Sequence, residues 1–414
     1  MIQTKYLIVG GGVAGTTAAE TIRAQDKQSG IHIVSDEPYR FYSRIMLSKP
    51  SFFLEKIPWD SVFLKTESWA RENNIEYTLG QPVVALDATN KTATLQDGQQ
   101  INYEKLLLAL GTNVRRWDVP GADKKGVMHL RTLNDAKQVI AAVKTAKQAI
   151  VIGGGFIGFE MCDMLKLAGV DTELIIPEKY FWEPLLDESS GRMIEAALKK
   201  AGVKIIYQTL VQEVMGQAAV AGVKLQDGKT LPADMIIVGI GTYCPLEWVT
   251  KAGIACNRGI LANEYLETSA PDVWTAGDAA EYKDLILNEN IQLGNWVNAH
   301  VHGRVAGLNM MGHRQPYRQV SFYTAQGLGI TIAFTGDVRT TADRQIIYRG
   351  SPEANAYTRI IVQDGEIEGA TMINRTTDLA PLTKIIEQDI KIEPYRQQLR
   401  DPACDLRAVI KQQA

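Results

Sequence analysis

The stretch that decides the fold is YLIVGGGVAG, at residues 6–15. A short apolar run typical of a buried strand leads directly into glycines, and an Ala- and Thr-rich segment typical of a helix follows. Gly10 would permit a tight turn, Gly12 would remove the side chain that blocks a phosphate, and Gly15 would let helix and strand pack closely. The pattern predicts a strand–turn–helix unit that binds a dinucleotide.

The pattern recurs far downstream as AIVIGGGFIG, at residues 149–158. In each copy a second apolar strand ends in an acid that could bind ribose hydroxyls, Asp36 or Glu37 in the first and Glu178 in the second. Glu178 would repel the 2′-phosphate of NADPH and so favours NADH, although the adjacent Lys179 weakens this argument. Two such units indicate two dinucleotides, one delivering electrons to the other.

The residues of these two patterns are the predicted dinucleotide contacts. They are Gly10, Gly12, Val13, Ala14, Gly15, Asp36 and Glu37 in the first unit, and Gly153, Gly155, Phe156, Ile157, Gly158, Glu178 and the strand-end Gly241 in the second.

The rest of the chain completes the predicted architecture. Asp-Gly turns at 97–98 and 227–228 predict a hairpin after each repeat, and alternating apolar residues beyond about residue 316 predict an antiparallel sheet. The fold class is α/β, with two Rossmann-like dinucleotide-binding domains of the glutathione-reductase type and a C-terminal α+β domain. The predicted boundaries are 1–113 with 245–315, 114–244, and 316–414.

Composition narrows the possible functions. A net charge of −3 over 414 residues lacks the basic excess of a nucleic-acid-binding protein. With neither a signal-peptide pattern nor a membrane-length apolar run, we expect a cytoplasmic protein with no membrane partner. Four separated cysteines predict reduced thiols, and no metal is expected. His300 and His302 could seat a metal, but a surface or flavin-side role fits them better.

Longer stretches carry a family resemblance. They are YSRIMLSK (42–49), LRTLNDA (130–136), TAGDAA (275–280), NWVNA (295–299) and GRVAGLNM (303–310). With both glycine patterns, they make the chain resemble, over nearly its whole length, the FAD-dependent pyridine-nucleotide reductases of the ferredoxin/rubredoxin reductase and apoptosis-inducing-factor type. This branch belongs to the glutathione-reductase-like superfamily. The resemblance implies FAD in the first Rossmann-like domain and a nicotinamide dinucleotide in the second.

It also implies catalytic roles for Lys49 and Glu160, which would meet beside the reactive edge of the flavin, where the lysine stabilises reduced flavin. A structural salt bridge is the alternative. The resemblance assigns further cofactor contacts to Arg44 and Arg131 (pyrophosphate or flavin side), Val83 (adenine), Asp278 (ribityl chain or phosphate), and Asn295, Trp296 and Tyr323 (flavin ring and nicotinamide). Surface arginines, a core valine, a turn carboxylate and core aromatics are the respective alternatives.

Departures from the family pattern concern the electron acceptor. Disulfide-reducing relatives carry a cysteine pair near the flavin and peroxide-reducing relatives carry one cysteine around residues 42–47, but this segment has none. Ile45 and Met46 replace a usual Pro-Pro and resemble rubredoxin reductases, and Phe322-Tyr323-Thr324 replaces a Trp-containing segment.

The resulting expectation is NADH-dependent reduction of FAD, followed by electron delivery to ferredoxin or rubredoxin, by a monomer or homodimer. Three alternatives stay open: the flavin-reducing component of a nitrite reductase system, an NADH oxidase acting without cysteine, and an apoptosis-inducing-factor-like redox-responsive binding protein. A basic cluster could dock an acidic carrier or be a solvated surface; it comprises Arg304, His313, Arg314 and Arg318.

Overall fold

The computed structural model describes residues 2–411 of the chain. Contacts divide the chain into two compact units. The first joins the chain up to Ser43 with Asp60–Asn113 and Thr242–Gln319, and the second joins Arg44–Trp59, Val114–Gly241 and the chain from Val320 onward. The predicted division into three domains is finer than this partition and stays a prediction.

Residues 2–112 begin with the first dinucleotide pattern. Their elements are β1 (Ile2–Val9), α1 (Val13–Gln25), β2 (Ile31–Ser35), the 3-10 helix Arg44–Ser48, α2 (Pro50–Phe53), the 3-10 helix Trp59–Val62, α3 (Trp69–Glu72), β3 (Ile75–Leu79), β4 (Val83–Asp87), β5 (Thr92–Leu95) and β6 (Gln100–Leu108).

The next segment contains the second pattern. Its elements are β7 (Asn113–Val114), β8 (Val127–Met128), α4 (Leu133–Val143), β9 (Gln148–Ile152), α5 (Phe156–Leu167), β10 (Asp171–Ile175), α6 (Glu188–Lys200), β11 (Lys204–Ile206), β12 (Val211–Met215), β13 (Gly222–Leu225), β14 (Thr230–Pro232) and β15 (Met235–Val238).

The chain then returns to the first unit and ends in the second. The elements up to Gln319 are β16 (Thr242–Tyr243), α7 (Glu247–Lys251), β17 (Ile260–Ala262), β18 (Val273–Thr275), the 3-10 helix Gly277–Ala279, β19 (Ala280–Lys283), β20 (Asn290–Ile291) and α8 (Trp296–Met310). The last are β21 (Phe322–Gly327), β22 (Ile330–Gly336), β23 (Gln345–Ser351), β24 (Ala356–Gln363), β25 (Glu366–Ile373), the 3-10 helix Thr376–Asp378, α9 (Leu379–Glu387), the 3-10 helix Glu393–Tyr395, α10 (Arg396–Arg400) and α11 (Arg407–Lys411).

The sheet of the first unit has parallel strands in the order β3-β2-β1-β6, with β18 also parallel to the end of β6, and β5 and β4 added antiparallel. Alternate residues of β1 enter two different cores: Tyr6 and Ile8 pack with α1 and α8, and Leu7 and Val9 pack with β4 to β6. Burial on both faces explains why this strand is continuously apolar.

The second unit contains a parallel sheet of the order β11-β10-β9-β15-β8, so β9 and β10 occupy the places that β1 and β2 hold in the first unit. In both sheets, the strand of the glycine pattern lies centrally and its helix starts at the carboxyl edge, where open α/β sheets bind ligands. The predicted duplication is therefore confirmed.

The C-terminal segment of the second unit is an antiparallel sheet of the order β21-β22-β25-β24-β23, and α9 packs against β22 and β25. The predicted antiparallel sheet with closing helices is confirmed. The Asp-Gly turns also lie where expected, between β5 and β6 and between β13 and β14.

Candidate dinucleotide-binding sites

The first glycine pattern forms a tight turn with one open position. Gly10 has a φ of +117°, and a Cβ on it would lie 2.1 Å from the Ala109 carbonyl oxygen. A Cβ on Gly15 would lie 2.0 Å from the Gly10 carbonyl oxygen, so α1 passes directly over the turn. Gly12, at the N-cap of α1, has no atom within 4 Å of its would-be Cβ. This open position at a helix start is what a pyrophosphate requires.

The second pattern repeats this geometry. Gly153 has a φ of +96°, and a Cβ on it would lie 2.5 Å from the Gly239 carbonyl oxygen. A Cβ on Gly158 would lie 2.0 Å from the Gly153 carbonyl oxygen, whereas one on Gly155 would meet nothing nearer than 3.9 Å. The structure thus places a second open helix start in the other unit.

Capping distinguishes these two helices from the other long helices of residues 2–411, which are α4, α6 and α8. Thr132, Asp187 and Asn295 cap α4, α6 and α8 by accepting a first-turn backbone N–H. Neither α1 nor α5 has such a side-chain cap. Their first-turn N–H groups and the positive end of each helix dipole are therefore available to an anion. The chain's residues fit two dinucleotide phosphates.

The remaining pattern residues lie around these helix starts. Val13 and Ala14 are the first two residues of α1, and Phe156 and Ile157 are the first two residues of α5. A Cβ on Gly303 of α8 would lie 2.2 Å from the Ala14 carbonyl oxygen, so α8 crosses α1 in close contact at its first turn. These positions agree with the predicted contacts, whose binding roles stay predictions.

The predicted ribose acids follow β2 and β10. Asp36 is exposed, and Glu37 accepts a hydrogen bond from the Tyr42 hydroxyl at 2.7 Å. Glu178 is half-buried, and its carbonyl oxygen accepts the Gln208 N–H at 3.3 Å. Ribose binding by these acids stays a prediction.

Lys49 and Glu160 lie together in the second unit. Lys49 follows the 3-10 helix Arg44–Ser48, and Glu160 lies on α5. The Lys49 ammonium donates to one oxygen of the Glu160 carboxylate, and the Ser48 hydroxyl donates to the other. The side chains of Lys49 and Glu160 are 29% and 14% exposed. The Glu160 carboxylate therefore accepts hydrogen bonds from two donors, and the Lys49 ammonium is paired with this carboxylate.

The two predicted arginines also meet in this unit. The Arg44 guanidinium donates to the Arg131 carbonyl oxygen at 2.9 Å. Asp135, which completes the capping box of α4 with Thr132, accepts the Arg131 N–H at 3.0 Å. Arg44 therefore helps to fix the segment that precedes α4, while contact of either arginine with a cofactor stays a prediction.

In the first unit, Asp278 lies on a short 3-10 helix between β18 and β19. Its carbonyl oxygen accepts the Gln292 amide at 2.8 Å and the Cys244 thiol at 3.6 Å. A Cβ on Gly294 would lie 3.1 Å from the carboxyl carbon of Asp278. The carboxylate thus lies against backbone that carries no side chain.

A buried histidine supports the same loop. The His302 imidazole is 0% exposed, and its Nδ1 accepts the Gly277 N–H at 3.2 Å. Burial lowers the pKa of His302 to about 3, so the ring is neutral at ordinary pH. His300, by contrast, is exposed and lies 3.1 Å from the Thr17 hydroxyl.

Of the three residues predicted to lie near the flavin ring and nicotinamide, Asn295 and Trp296 belong to the first unit and Tyr323 to the second. Asn295 caps α8, and the adjacent Trp296 stacks on Phe41 at 5.9 Å between ring centroids. Tyr323, in the second unit, stacks on Phe334 at 4.7 Å and meets the edge of Phe156 at 4.9 Å.

Two predicted contacts lie in less distinctive surroundings. Val83 is 7% exposed within an apolar core of the first unit, and its contact with adenine stays a prediction. Gly241 lies beyond β15, where its carbonyl oxygen accepts the Arg115 N–H at 3.0 Å.

Within the basic cluster, the Arg314 guanidinium lies over the Tyr265 ring, 4.0 Å from the ring centroid.

Comparison with known proteins agrees with this geometry. A family model described as pyridine nucleotide-disulphide oxidoreductase matches residues 4–303, and one described as reductase C-terminal matches residues 322–410. This chain belongs to the pyridine nucleotide-disulphide oxidoreductase family. The reductases of this family use FAD and NAD(P)H.

Within this family, the ferredoxin–NAD(+) reductase component of the biphenyl dioxygenase system from Paraburkholderia xenovorans (strain LB400) is 30% identical over 412 residues, 99% of each chain. The NAD(P)H nitrite reductase of Bacillus subtilis (strain 168) is 29% identical over 396 residues, 95% of this chain but 48% of that protein. A structure of the covalent putidaredoxin reductase–putidaredoxin complex superposes with a TM-score of 0.93 at 25% identity, covering 100% of this chain and 99% of that one.

Although the family is named for disulphides, none of the four cysteines of this chain forms a disulfide bond. Cys162 is buried in α5, and this burial raises the pKa of its thiol. Within residues 2–411, no group of three or more His, Cys, Asp or Glu side chains is placed to hold a metal ion. No helix in that range combines the length and apolar character needed to cross a bilayer.

Sequence reasoning missed several residues of these sites. Ser48 belongs to the YSRIMLSK stretch, but nothing in the sequence pairs its hydroxyl with Glu160, 112 residues away. Gln292, and the hydrogen bond of His302 to Gly277, likewise depend on distant contacts. Trp182 packs on Phe156 at 4.6 Å between ring centroids and carried no recognisable motif.

Proposed function

We propose that this protein transfers electrons from NADH through FAD to a small iron–sulfur carrier of the ferredoxin or rubredoxin class. The observation that supports this most directly is the pair of uncapped helix starts, each beside an open glycine. Two dinucleotide sites in one chain suit a hydride donor and a flavin. When bound, FAD accepts two electrons from NADH and passes them on singly.

The chain's own residues bind and orient the two cofactors. The first turn of α1 would bind the FAD pyrophosphate, and the first turn of α5 would bind that of NADH. Gln292 and His302 hold the backbone beside Asp278, which the family resemblance assigns to FAD. The chain would not have to supply a general base, because hydride transfer from a bound nicotinamide to a bound flavin would need no proton removed by a side chain.

The Lys49–Glu160 pair supplies the electrostatics of this proposal. The Ser48 hydroxyl and the Lys49 ammonium each donate to one oxygen of the Glu160 carboxylate. The hydrogen bond from Ser48 therefore restrains the carboxylate with which the ammonium pairs. If the pair borders the flavin, as the resemblance implies, this positive charge favours the anionic reduced ring. We expect Lys49→Met to slow flavin reduction and Ser48→Ala to have a smaller effect in the same direction.

NADH is the proposed donor because Glu178 lies just after β10, at the start of the loop that leads to α6. Its carboxylate would bind the ribose hydroxyls of NADH and repel the additional phosphate of NADPH. The acceptor is proposed from the ferredoxin reductase component and the putidaredoxin complex among the similar proteins. The rubredoxin option rests on Ile45 and Met46. We further propose a cytoplasmic monomer or homodimer, which size-exclusion chromatography with light scattering would test.

Anaerobic stopped-flow mixing of the FAD-loaded protein with NADH, and separately with NADPH, tests this function. We expect flavin bleaching within milliseconds with NADH and far more slowly with NADPH, and a narrower gap in Glu178→Gln. Reduced protein should then reduce ferredoxin or rubredoxin faster than it reduces oxygen. Slow bleaching with a persistent charge-transfer band would instead support a redox-responsive binding protein.

A second candidate is the flavin-reducing part of a nitrite reductase system. It is favoured by the match to the Bacillus subtilis nitrite reductase, although the chain spans about half of that protein. Under this alternative, the NADH-reduced protein would reduce a separate sirohaem-containing partner and leave ferredoxin and rubredoxin oxidised.

A further inference from the structure

A second carboxylate lies close to the Lys49–Glu160 pair. Asp163 is three residues beyond Glu160 on α5 and therefore lies on the same side of the helix. It is 7% exposed. Burial raises the pKa of the Asp163 carboxyl, and the charge of Glu160 acts in the same direction. The hydrogen bond from the Leu328 N–H and the charge of Lys49 both lower this pKa and so favour the ionised carboxylate. A carboxylate buried in this way needs a specific partner.

The partner is the turn between β21 and β22. The Leu328 N–H, within this turn, donates to Asp163 Oδ1 at 3.0 Å. At the neighbouring Gly327, a Cβ would lie 2.9 Å from Asp163 Oδ2. The hydrogen bond and the missing side chain are independent features. Both indicate that the turn rests directly on this carboxylate.

The same hairpin contacts α5 at a second place. Tyr323 of β21 packs against Phe156, the first residue of α5, with 4.9 Å between ring centroids. The hairpin is therefore fixed to α5 at its first residue and again two turns later, at Asp163. Glu160 lies on the stretch between these two contacts.

We propose that Asp163 is a positioning residue of the flavin-reducing site. Asp163 holds the β21–β22 turn against α5, and its negative charge offsets the positive charge of Lys49. The inference rests on the proposed function, because it takes Lys49 to border the flavin. The ionised Asp163 carboxylate would make the charge beside the flavin one unit more negative than Lys49 and Glu160 alone make it. Such a charge disfavours anionic reduced flavin and so makes the protein a stronger electron donor.

The charge role is tested by the flavin midpoint potential of the FAD-loaded protein, measured by photoreduction with reference dyes and without NADH. Asp163→Asn keeps an oxygen for the Leu328 N–H but removes the charge. We expect its potential to rise by about 30 mV, a tenfold change in the two-electron equilibrium. Asp171→Asn is the matched control, because Asp171 in the same unit is 82% exposed; its potential should not change.

The positioning role is tested by thermal unfolding. Asp163→Ala and Gly327→Ala should each lower the unfolding midpoint by about 3 °C or more, while Asp163→Asn lowers it less. Gly327→Ala should leave the potential closer to the wild-type value than Asp163→Asn does. An unchanged potential in a folded, FAD-loaded Asp163→Asn protein would overturn the charge role. Failure of NADH to reduce the flavin would instead count against the proposed function, because the potential is measured without it.

Discussion

At Gly12 and Gly15, two glycines of one motif have different surroundings, and the same substitution should affect them differently. Ala at position 15 would place its Cβ 2.0 Å from the Gly10 carbonyl oxygen, which neither α1 nor β1 can relieve by a side-chain motion. We expect Gly15→Ala to lower the free energy of unfolding by about 3 kcal/mol or more. Gly12→Ala has open space and should cost about 1 kcal/mol at most.

Although Gly12→Ala should affect the stability of the fold less than Gly15→Ala does, it should directly weaken the binding of FAD. The Gly12→Ala methyl group would occupy the position through which the FAD pyrophosphate approaches, so we expect the folded protein to bind FAD at least about tenfold more weakly, a loss of about 1.4 kcal/mol. Urea unfolding of the apoprotein and fluorescence titration with FAD measure the two effects. A Gly12→Ala protein that unfolds as readily as Gly15→Ala would contradict this interpretation of the turn.

A second residue-scale prediction concerns His302 and pH. Burial lowers the folded-state pKa of this imidazole to about 3, while the unfolded chain should titrate near 6.5. Below about pH 6.5 the unfolded state therefore binds the additional proton, and stability falls as the pH falls toward 3. At pH 5 the loss relative to pH 8 should be about 2 kcal/mol.

The comparison that isolates this term is with His302→Gln, whose amide oxygen can still accept the Gly277 N–H. Urea unfolding of both proteins from pH 8 to pH 5 should give a difference in stability that grows by about 1.4 kcal/mol per pH unit below pH 6. Parallel pH profiles for the two proteins would show that His302 is protonated in the folded state.

At the scale of elements, local chemistry explains what the sequence predicted. The strand–turn–helix units were predictable because apolar runs and glycine spacing act within a few residues. The Asp-Gly hairpins were predictable for the same reason. Contacts such as Ser48–Glu160 and Asp163–Leu328 were not, because they join residues 112 and 165 positions apart whose side chains have no periodic signature.

One residue joins two elements of the second unit and gives an element-scale prediction. Asp187 caps α6, and its carboxylate also accepts the Tyr357 hydroxyl at 3.2 Å and lies 3.6 Å from the Arg359 guanidinium of β24. Arg359 is 1% exposed, so losing this carboxylate would leave a buried charge poorly compensated. We expect Asp187→Ala to lower the free energy of unfolding by about 3 kcal/mol.

Asp187→Ser separates the two contributions, because serine can still cap α6 but cannot pair with Arg359. It should recover about 1 kcal/mol of the loss in denaturant unfolding. Glu188→Ala, which removes a 66%-exposed partner of Arg192 at the next position, should change stability by less than about 0.5 kcal/mol. Equal losses for the alanine and serine variants would assign the whole effect to the contacts of the carboxylate with Tyr357 and Arg359.

At the scale of the whole molecule, the duplicated dinucleotide site makes the two half-reactions separable. Gly155 and Gly12 hold equivalent places at the starts of α5 and α1, and both have room for a methyl group. If the first unit binds FAD and the second binds NADH, the two Ala variants should have opposite defects. Gly155→Ala should retain FAD and raise the KM for NADH at least about tenfold, a loss of about 1.4 kcal/mol.

The decisive measurement bypasses NADH. Gly155→Ala reduced by light should pass electrons to ferredoxin or rubredoxin at the wild-type rate, because the substitution lies at the start of α5, in the unit proposed to bind NADH and not FAD. Gly12→Ala should be purified with little FAD and recover NADH-dependent carrier reduction only when excess FAD is added. If Gly155→Ala lost FAD, or if its light-reduced form failed to reduce the carrier, the assignment of one dinucleotide to each unit would be wrong.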